Sequence, residues 1–140
     1  MVATQIPELQ VVVADSGVAS IEWVVQHQFE KLETLPGWMA PVVVAMGSLQ
    51  TGVDAREIAP VKQVGRISPR PLMIIHGDQD EVFLVANAVL LAWAAREPTE
   101  LWIDPGVGHS RLYASDPEGY VQRVGGFLDR ALLPEQARTV

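Results

Sequence analysis

Three short apolar runs, each followed by polar or small residues, constrain the fold of this 140-residue chain more than any other feature. They are Leu9–Ala14, Pro71–Ile75 and Glu100–Ile103. Short apolar runs rich in β-branched residues are typical of strands that are buried on both faces, as in a parallel sheet. Helical patterns fill the segments between the runs, and this alternation predicts an α/β fold with right-handed crossovers. We therefore expect a three-layer architecture in which helices flank a parallel sheet.

Helices are predicted to fill the chain between the first and second strands. The hydroxyl of Ser20 can accept a backbone N–H and so cap the first helix. An apolar helical stripe follows the cap: Ile21, Val24, Val25, Phe29 and Leu32. Residues 38–52 are predicted to form a second helix, with Pro41 in its first turn and Gly52 just beyond its last. Asp54 is expected to cap a further short helix that ends at Pro60.

Two more helices are predicted after the second strand. Leu84–Arg96 is strongly apolar and rich in alanine, which indicates a packed helix that ends before Pro98. Asp116 can cap the last helix, with Pro117 at the first helical position, where proline is favoured. The predicted buried stripe of that helix is Tyr120, Val121, Val124, Phe127, Leu128 and Leu132.

Composition narrows the class of protein. Hydrophobic residues make up 49% of the 140 residues, which suffices for a single domain with a packed core. The chain has no cysteine, which excludes disulfides, cysteine-ligated zinc and a cysteine nucleophile. Its net charge is −7 and it has no basic run, so binding to nucleic acid is not expected.

Neither a membrane span nor a leader peptide is expected. The longest apolar run, Ala88–Ala95, is well short of the roughly 18 residues that a membrane span needs. The N-terminus has no Lys or Arg region and carries Glu8 early, unlike a signal peptide. A cytoplasmic protein is therefore expected.

Polar side chains follow each of the three predicted strands. Residues 15–17 read Asp-Ser-Gly, residues 76–80 read His-Gly-Asp-Gln-Asp, and residues 106–110 read Gly-Val-Gly-His-Ser. In open α/β sheets, functional groups collect at the carboxyl ends of the strands. An acid and a histidine thus lie on loops after neighbouring strands. An acid that orients a histidine base makes up two-thirds of a nucleophilic triad.

Two of these turns carry a family resemblance. The run H-G-x-x-D at residues 76–80 and the run G-x-G-H at residues 106–109 together resemble the C-terminal half of the α/β-hydrolase fold. The resemblance covers nearly the whole chain, residues 1–140, as one partial domain. It implies that the three strands match the sixth, seventh and eighth strands of the family. Residues 20–65 then match the helical cap that the family inserts after the sixth strand.

The resemblance also implies roles for individual residues. Asp80 takes the position of the acid that orients the histidine, and His109 takes the position of the base. Asp78 is the less favoured acid, because the family's acid usually ends the H-G-x-x-D run. His76 ends a strand and is interpreted as structural.

The nucleophile departs from the family pattern. The family's elbow is G-x-S-x-G, and none of the serines, at positions 16, 20, 48, 68, 110 and 115, has glycine at both required neighbours. Ser16 lies at the end of a strand, on the correct edge of the sheet, which makes it a candidate substitute nucleophile. The alternative role of Ser16 is that of a turn or cap residue. Phe83-Leu84 also stands where the family usually has Val-Pro.

Two functions from different classes follow from these residues. The first is a carboxylic ester hydrolase of the serine type, acting on a small-molecule ester without a metal or organic cofactor. In the cap-like segment, Trp23, Trp38, Met39 and Met46 are more typical of packing than of a substrate pocket, although the family's cap helices line the acyl pocket. The second function is that of a non-catalytic, truncated hydrolase fragment that serves as an interaction module.

A strand edge predicts an oligomer. In the family fold another strand covers the outer edge of the strand at Leu9–Ala14, and no Lys or Pro blunts that edge here. Two copies could pair these edges in antiparallel fashion, as a homodimer with twofold symmetry. The alternatives are an N-terminal partner segment at the same edge, and a monomer whose first ten residues cover it.

Overall fold

A parallel three-stranded sheet lies at the centre of the computed structural model, which describes residues 2–28 and 36–133. The strands are β1 (Val12–Asp15), β2 (Leu72–Gly77) and β3 (Thr99–Asp104), in that order across the sheet. Val12 pairs with Leu72, and Leu72 pairs in turn with Thr99. The α/β fold with a parallel sheet, predicted from the sequence, is confirmed.

Helices connect these strands. Within the described residues the α-helices are α1 (Ile21–Gln28), α2 (Ala40–Thr51), α3 (Ala86–Ala94), α4 (Leu112–Ser115) and α5 (Pro117–Leu132). Short 3-10 turns lie at Val2–Thr4, Gly37–Met39, Pro60–Lys62 and Val64–Arg66. None of the helices in this part of the chain is both long and apolar enough to span a bilayer. Phe29 and Leu32, from the first predicted stripe, lie outside the described residues.

Local capping signals set the ends of three helices as predicted. The Asp116 side chain accepts a hydrogen bond from the Gly119 backbone N–H at 3.0 Å, at the start of α5. The Ser20 hydroxyl accepts one from the Trp23 N–H at 3.4 Å, ahead of α1. Gly52 ends α2 in the left-handed conformation, with φ of 70°, which glycine adopts without a steric cost.

The strand β2 separates two apolar layers. Its alternate side chains point to opposite faces of the sheet. Leu72 and Ile74 pack on the face that α3 covers, and Met73 and Ile75 pack on the face that α4 and α5 cover. Ala88 and Leu91 complete the first layer, and Val107, Leu112 and Phe127 complete the second. The predicted three-layer architecture therefore forms around β2, whose six residues are all buried.

The first strand is shorter and more exposed than predicted. It begins at Val12 rather than at Leu9. In the segment before it, the carbonyl groups of Ala3, Ile6 and Leu9 accept from the Arg70 guanidinium at 2.9, 3.0 and 3.4 Å. Within the described residues, β1 has a strand partner on one side only, so it is partly buried rather than buried on both faces. Pairing of that edge with a second copy stays a prediction.

Several smaller predictions were wrong. Asp54 does not cap a helix, because its carboxylate accepts the Arg56 N–H at 2.9 Å and closes a local turn instead. Val121 and Leu132 of the predicted α5 stripe are exposed, since the helical repeat turns them well away from the direction of the buried Phe127. The helix α4 was not predicted; it is a single turn that follows the histidine loop.

The helices between β1 and β2 include α1 and α2, and the assignment of residues 20–65 as a cap stays a prediction. The expectation that Trp38 and Met46 are packed was wrong: their relative exposures are 74% and 64%. The helix α2 contacts α1, and an outward face that includes Leu49 is left uncovered by the described residues.

Candidate active site

Three hydrogen bonds, two of them between backbone groups, hold the loop after β2 against the end of β3 and the loop that follows it. The Asp78 N–H donates to the Asp104 carbonyl and the Gln79 N–H donates to the Val107 carbonyl, each at 3.0 Å. The Asp78 carboxylate in turn accepts the Gly106 N–H at 2.6 Å. A side chain at Gly77 would collide with the backbone of Val107, so this approach requires glycine there. The two loops therefore have a fixed relative position.

Asp80 and His109 form a hydrogen bond between these loops. Asp80 Oδ2 lies 2.8 Å from His109 Nδ1, and the Asp80 side chain is fully buried. The other carboxylate oxygen, Oδ1, accepts the N–H groups of Val82 at 2.9 Å and Phe83 at 2.7 Å. Both oxygens therefore accept hydrogen bonds, which compensates for the loss of water around a buried carboxylate.

The partnership with Asp80 selects one form of the His109 ring. Because the carboxylate accepts at Nδ1, that nitrogen carries the hydrogen, and in the neutral imidazole Nε2 is then the nitrogen with the lone pair. Nε2 has no hydrogen-bond partner within the described part of the chain, and 32% of the His109 side chain is exposed. The ring is thus oriented by a buried acid and partly exposed to solvent, an arrangement that suits a general base.

His76 is a second histidine beside the same carboxylate. Its Nε2 lies 2.6 Å from the Phe83 carbonyl and 3.2 Å from Asp80 Oδ2, and its side chain is fully buried. Nδ1 has no partner among the described residues. Since Nε2 donates to the Phe83 carbonyl, His76 closes the turn that carries Asp80, in agreement with the structural role inferred from the sequence.

These contacts also bear on metal binding. The histidine nitrogens that face Asp80 carry hydrogens, so they are donors rather than metal ligands. Within the described residues, no group of three or more His, Asp or Glu side chains is arranged to hold a metal ion.

Phe83 has a larger part in the site than its sequence suggests. Its N–H binds Asp80, its carbonyl binds His76, and its ring meets the His109 ring edge-on, with centroids 5.3 Å apart and an interplanar angle of 80°. Sequence reasoning noted only that Phe83-Leu84 replaces Val-Pro. Its position three residues after the acid was the one available signal.

The structure distinguishes the two candidate acids. Asp80, and not Asp78, contacts His109. Asp78 instead binds Gly106, the residue after Pro105 in the histidine loop, and so acts as a link between the loops.

Ser16 lies near the histidine loop but does not bond to the histidine. Its residue is 4% exposed, and its hydroxyl donates to Asp15 Oδ1 at 3.0 Å. The hydroxyl oxygen of Ser16 accepts the Ser110 backbone N–H at 3.1 Å. No hydrogen bond joins Ser16 to His109 in the described part of the chain. The role of Ser16 as a nucleophile stays a prediction.

Asp15 also accepts a hydrogen bond from the Tyr120 hydroxyl, at 3.2 Å. Partial burial raises the pKa of Tyr120 above its ordinary value, and the charge of Asp15 and the hydrogen bond to it raise this pKa further. Each effect favours the neutral phenol, which is the form that donates to Asp15.

A groove of about 770 Å³ runs beside His109. Its lining comes from the acid and histidine loops and from α4, and includes Glu81, Val82, Gly108 and Arg111. None of the four aromatic and Met residues considered from the cap-like segment lines this groove.

With this geometry in place, the chain can be compared with known proteins. No protein-family model matches the sequence. The chain is 26% identical over 118 residues to the uncharacterized protein YqkD of Bacillus subtilis, a match that covers 84% of this chain and 38% of that protein.

Solved structures share the fold over most of the chain. The esterase Pf2001 of Pyrococcus furiosus is 25% identical, with a TM-score of 0.67 over 92% of this chain and 48% of that one. The α/β hydrolase MGS-MChE2, from a metagenome of lagoon sediments, is 17% identical, with a TM-score of 0.58 over 91% of this chain and 54% of that one.

The chain is thus related to the α/β-hydrolase superfamily, as its two polar loops predicted, and it matches mainly the C-terminal half of these proteins. It spans about half the length of the solved structures and less of the Bacillus protein.

Proposed function

We propose that this chain carries the acid and the base of a serine-hydrolase active site and acts on carboxylic esters. The observation behind the proposal is the 2.8 Å hydrogen bond between a fully buried Asp80 carboxylate and the partly exposed His109 ring. The similarity to an esterase of known structure supports the same class of reaction.

The two residues have distinct roles in this proposal. Asp80 holds the His109 ring with Nε2 outward and stabilises the imidazolium that forms during the reaction. His109 takes the proton from a serine hydroxyl as that oxygen attacks the ester carbonyl. It then gives the proton to the leaving alcohol, and in the second half of the reaction it activates the water that releases the acid.

The substrate class is proposed from the apolar cap-like segment, because cap helices line the acyl pocket in the family that the chain resembles. The helix α2 contains no charged residue, and Trp38 and Met46 beside or within it are exposed. The groove beside His109 is a separate surface, with Glu81 and Arg111 in its lining. We propose small acyl or aryl esters, whose apolar part an apolar cap accepts more readily than a charged group.

The serine has three proposed sources: Ser16, another serine of this chain in an unusual setting, or a serine that a further segment or partner contributes. A fluorophosphonate probe distinguishes them. Labelling of the chain, read by peptide mass spectrometry, is expected at a single serine, together with hydrolysis of a p-nitrophenyl ester. Absence of both label and hydrolysis in the chain on its own would exclude the first two sources, and with them the proposal that this chain by itself acts on carboxylic esters.

A second candidate function has two observations in its favour. Within the described residues, the edge strand β1 is unpaired on its outer side, and the sequence has no G-x-S-x-G motif. An open edge is a template for pairing with another chain, so the alternative is an interaction module that forms a homodimer through β1 or binds an N-terminal partner segment there.

Light scattering behind a sizing column tests the dimer. A mass near twice the 15.3 kDa of one chain is expected, and Val12→Lys should shift it toward the monomer. A mass of one chain at micromolar concentration would exclude self-association through this edge.

A further inference from the structure

A chain of three hydrogen bonds runs from α5 to the residue beside the histidine. The Tyr120 hydroxyl and the Ser16 hydroxyl both donate to Asp15, at 3.2 and 3.0 Å. Ser16 Oγ then accepts the backbone N–H of Ser110 at 3.1 Å, across 94 residues of sequence. The end of β1 is thereby tied to the peptide that directly follows His109.

The two residues that this last hydrogen bond joins both have an unusual backbone conformation. Ser16 and Ser110 both have φ of 51°, in the left-handed region, although neither is glycine. Such a conformation is unfavourable for a non-glycine residue, and it persists where neighbouring contacts hold it. Here the hydrogen bond between the two residues is one such contact.

We propose that Ser16 is a positioning residue that holds the histidine loop through Ser110. The proposal rests on the proposed function, because it assigns a purpose to Ser16 in the use of His109. Asp80 fixes one atom of the imidazole ring, Nδ1, but the direction in which Nε2 points also depends on the backbone of residues 109 and 110. The bond from Ser110 to Ser16 fixes that backbone.

The charge of Asp15 strengthens the arrangement. Because the Ser16 hydroxyl gives its hydrogen to a carboxylate, its oxygen becomes a better acceptor for the Ser110 N–H. The same two bonds oppose a nucleophilic role in this conformation, since the hydroxyl hydrogen points to Asp15 and the oxygen is occupied by an amide. Rings of Trp102 and Tyr113, 5.9 and 5.7 Å from that of Tyr120, keep the phenol in place.

Nuclear magnetic resonance tests the proposal without any need for turnover. The His109 Nδ1–H signal is identified by its loss in Asp80→Asn and followed by its exchange with water. Ser16→Ala removes the acceptor and should make this proton exchange faster than in the wild type. Asp15→Asn keeps the acceptor and removes the charge, so it should give a smaller change in the same direction.

Ser16→Gly is the control for backbone strain and for folding. Glycine tolerates a φ of 51° but offers no acceptor. If Ser16 serves only as a turn residue, Ser16→Gly behaves like the wild type. Faster exchange in both variants supports positioning, whereas unchanged exchange in the folded variants overturns it.

Activity gives the second readout. Positioning predicts that Ser16→Ala lowers kcat by about 10- to 100-fold with little change in KM, and that the fluorophosphonate label lies on another serine. A label on Ser16 itself would overturn the proposal in favour of the nucleophile. If the wild type neither hydrolyses esters nor takes a label, the proposed function fails, while the exchange measurement still reports on the Ser16–Ser110 contact.

Discussion

Two regions of this chain differ in which side chains they bury and which they expose. The acid–histidine corner, residues 76–83 and 104–110, buries the polar side chains of His76 and Asp80, and both oxygens of Asp80 accept hydrogen bonds there. The helical segment at residues 36–58 has the reverse character. It exposes large apolar side chains, and the relative exposure of Leu49 reaches 85%.

The two regions differ in which contacts define their structure. In the corner, contacts between distant residues define each loop, so a change at one position affects the others. In the helical segment, local signals such as Pro41 and Gly52 define α2, and little of its side-chain surface depends on the remaining described residues. Substitutions should therefore have large effects in the corner and small ones in the segment.

The largest expected effect is on ester hydrolysis. His109→Ala and Asp80→Asn should each lower kcat/KM by roughly 10⁴-fold, because the base or its orientation is lost. Asp78→Asn is the matched control, since Asp78 binds the backbone of Gly106 rather than the ring. Asp78→Asn should keep activity within about tenfold. A larger loss for Asp78→Asn than for Asp80→Asn would mean that the acid is misassigned.

Substitutions to alanine compare the stability that the strand leading into the corner contributes with that of the helical segment. Ile75 in β2 is fully buried, so Ile75→Ala should lower the free energy of unfolding by about 2–5 kcal/mol. Leu49→Ala in α2 should change it by less than about 0.5 kcal/mol, because the side chain is mostly in water. Urea denaturation followed by circular dichroism measures both. A cost for Leu49→Ala as large as that for Ile75→Ala would show that α2 is covered in solution.

A pair of glycines sharpens the same contrast. Gly77→Ala places a methyl group against the Val107 backbone and should destabilise the fold by about 1–3 kcal/mol. Gly47→Ala, in the interior of α2 with open space around it, should stabilise the fold by up to about 1 kcal/mol. Thermal unfolding of the two variants gives opposite signs if the comparison holds, and a common sign contradicts it.

The smallest effect concerns the edge of the corner, at Tyr120. Its raised pKa means that the folded state favours the neutral phenol. The associated stability is present below the ordinary pKa of 10.0 and is lost as the pH rises through the raised value. Asp15→Asn should lower this pKa, though only partly, because burial remains the largest cause. Ultraviolet titration of the phenolate measures the pKa, with Tyr120→Phe to identify the signal. An unchanged pKa in Asp15→Asn would show that Asp15 does not contribute to the raised pKa of Tyr120.

The strands and the acid–histidine pair could be predicted because their signals are local. A short apolar run ending in His-Gly or followed by Gly-x-Gly-His can be recognised from a few adjacent residues, and topology then brings the loops together. Phe83 could not be assigned in the same way, since two of its three contacts use its backbone N–H and carbonyl, which every residue possesses.

The exposure of the second helix and the contact between Ser16 and Ser110 could not be predicted from the spacing of apolar residues. The apolar pattern of residues 38–52 predicts a helix, but it does not indicate whether another element covers it, and Trp38 is exposed. The contact between Ser16 and Ser110 joins residues 94 positions apart, each in a conformation that serine rarely adopts.

The order of strand pairing has a consequence for how the site assembles during folding. Pairing of β1 with β2 joins Val12 to Leu72, and pairing of β2 with β3 joins Leu72 to Thr99. The first pairing therefore closes a loop more than twice as long as the second. Each doubling of loop length adds roughly 0.6 kcal/mol of closure entropy, and contacts between distant residues form late in small proteins. We therefore expect β2 and β3 to nucleate the sheet and to bring Asp80 to His109 first. Docking of β1 then brings Ser16 to Ser110, so the last contact to form is the one that sets the direction of the histidine.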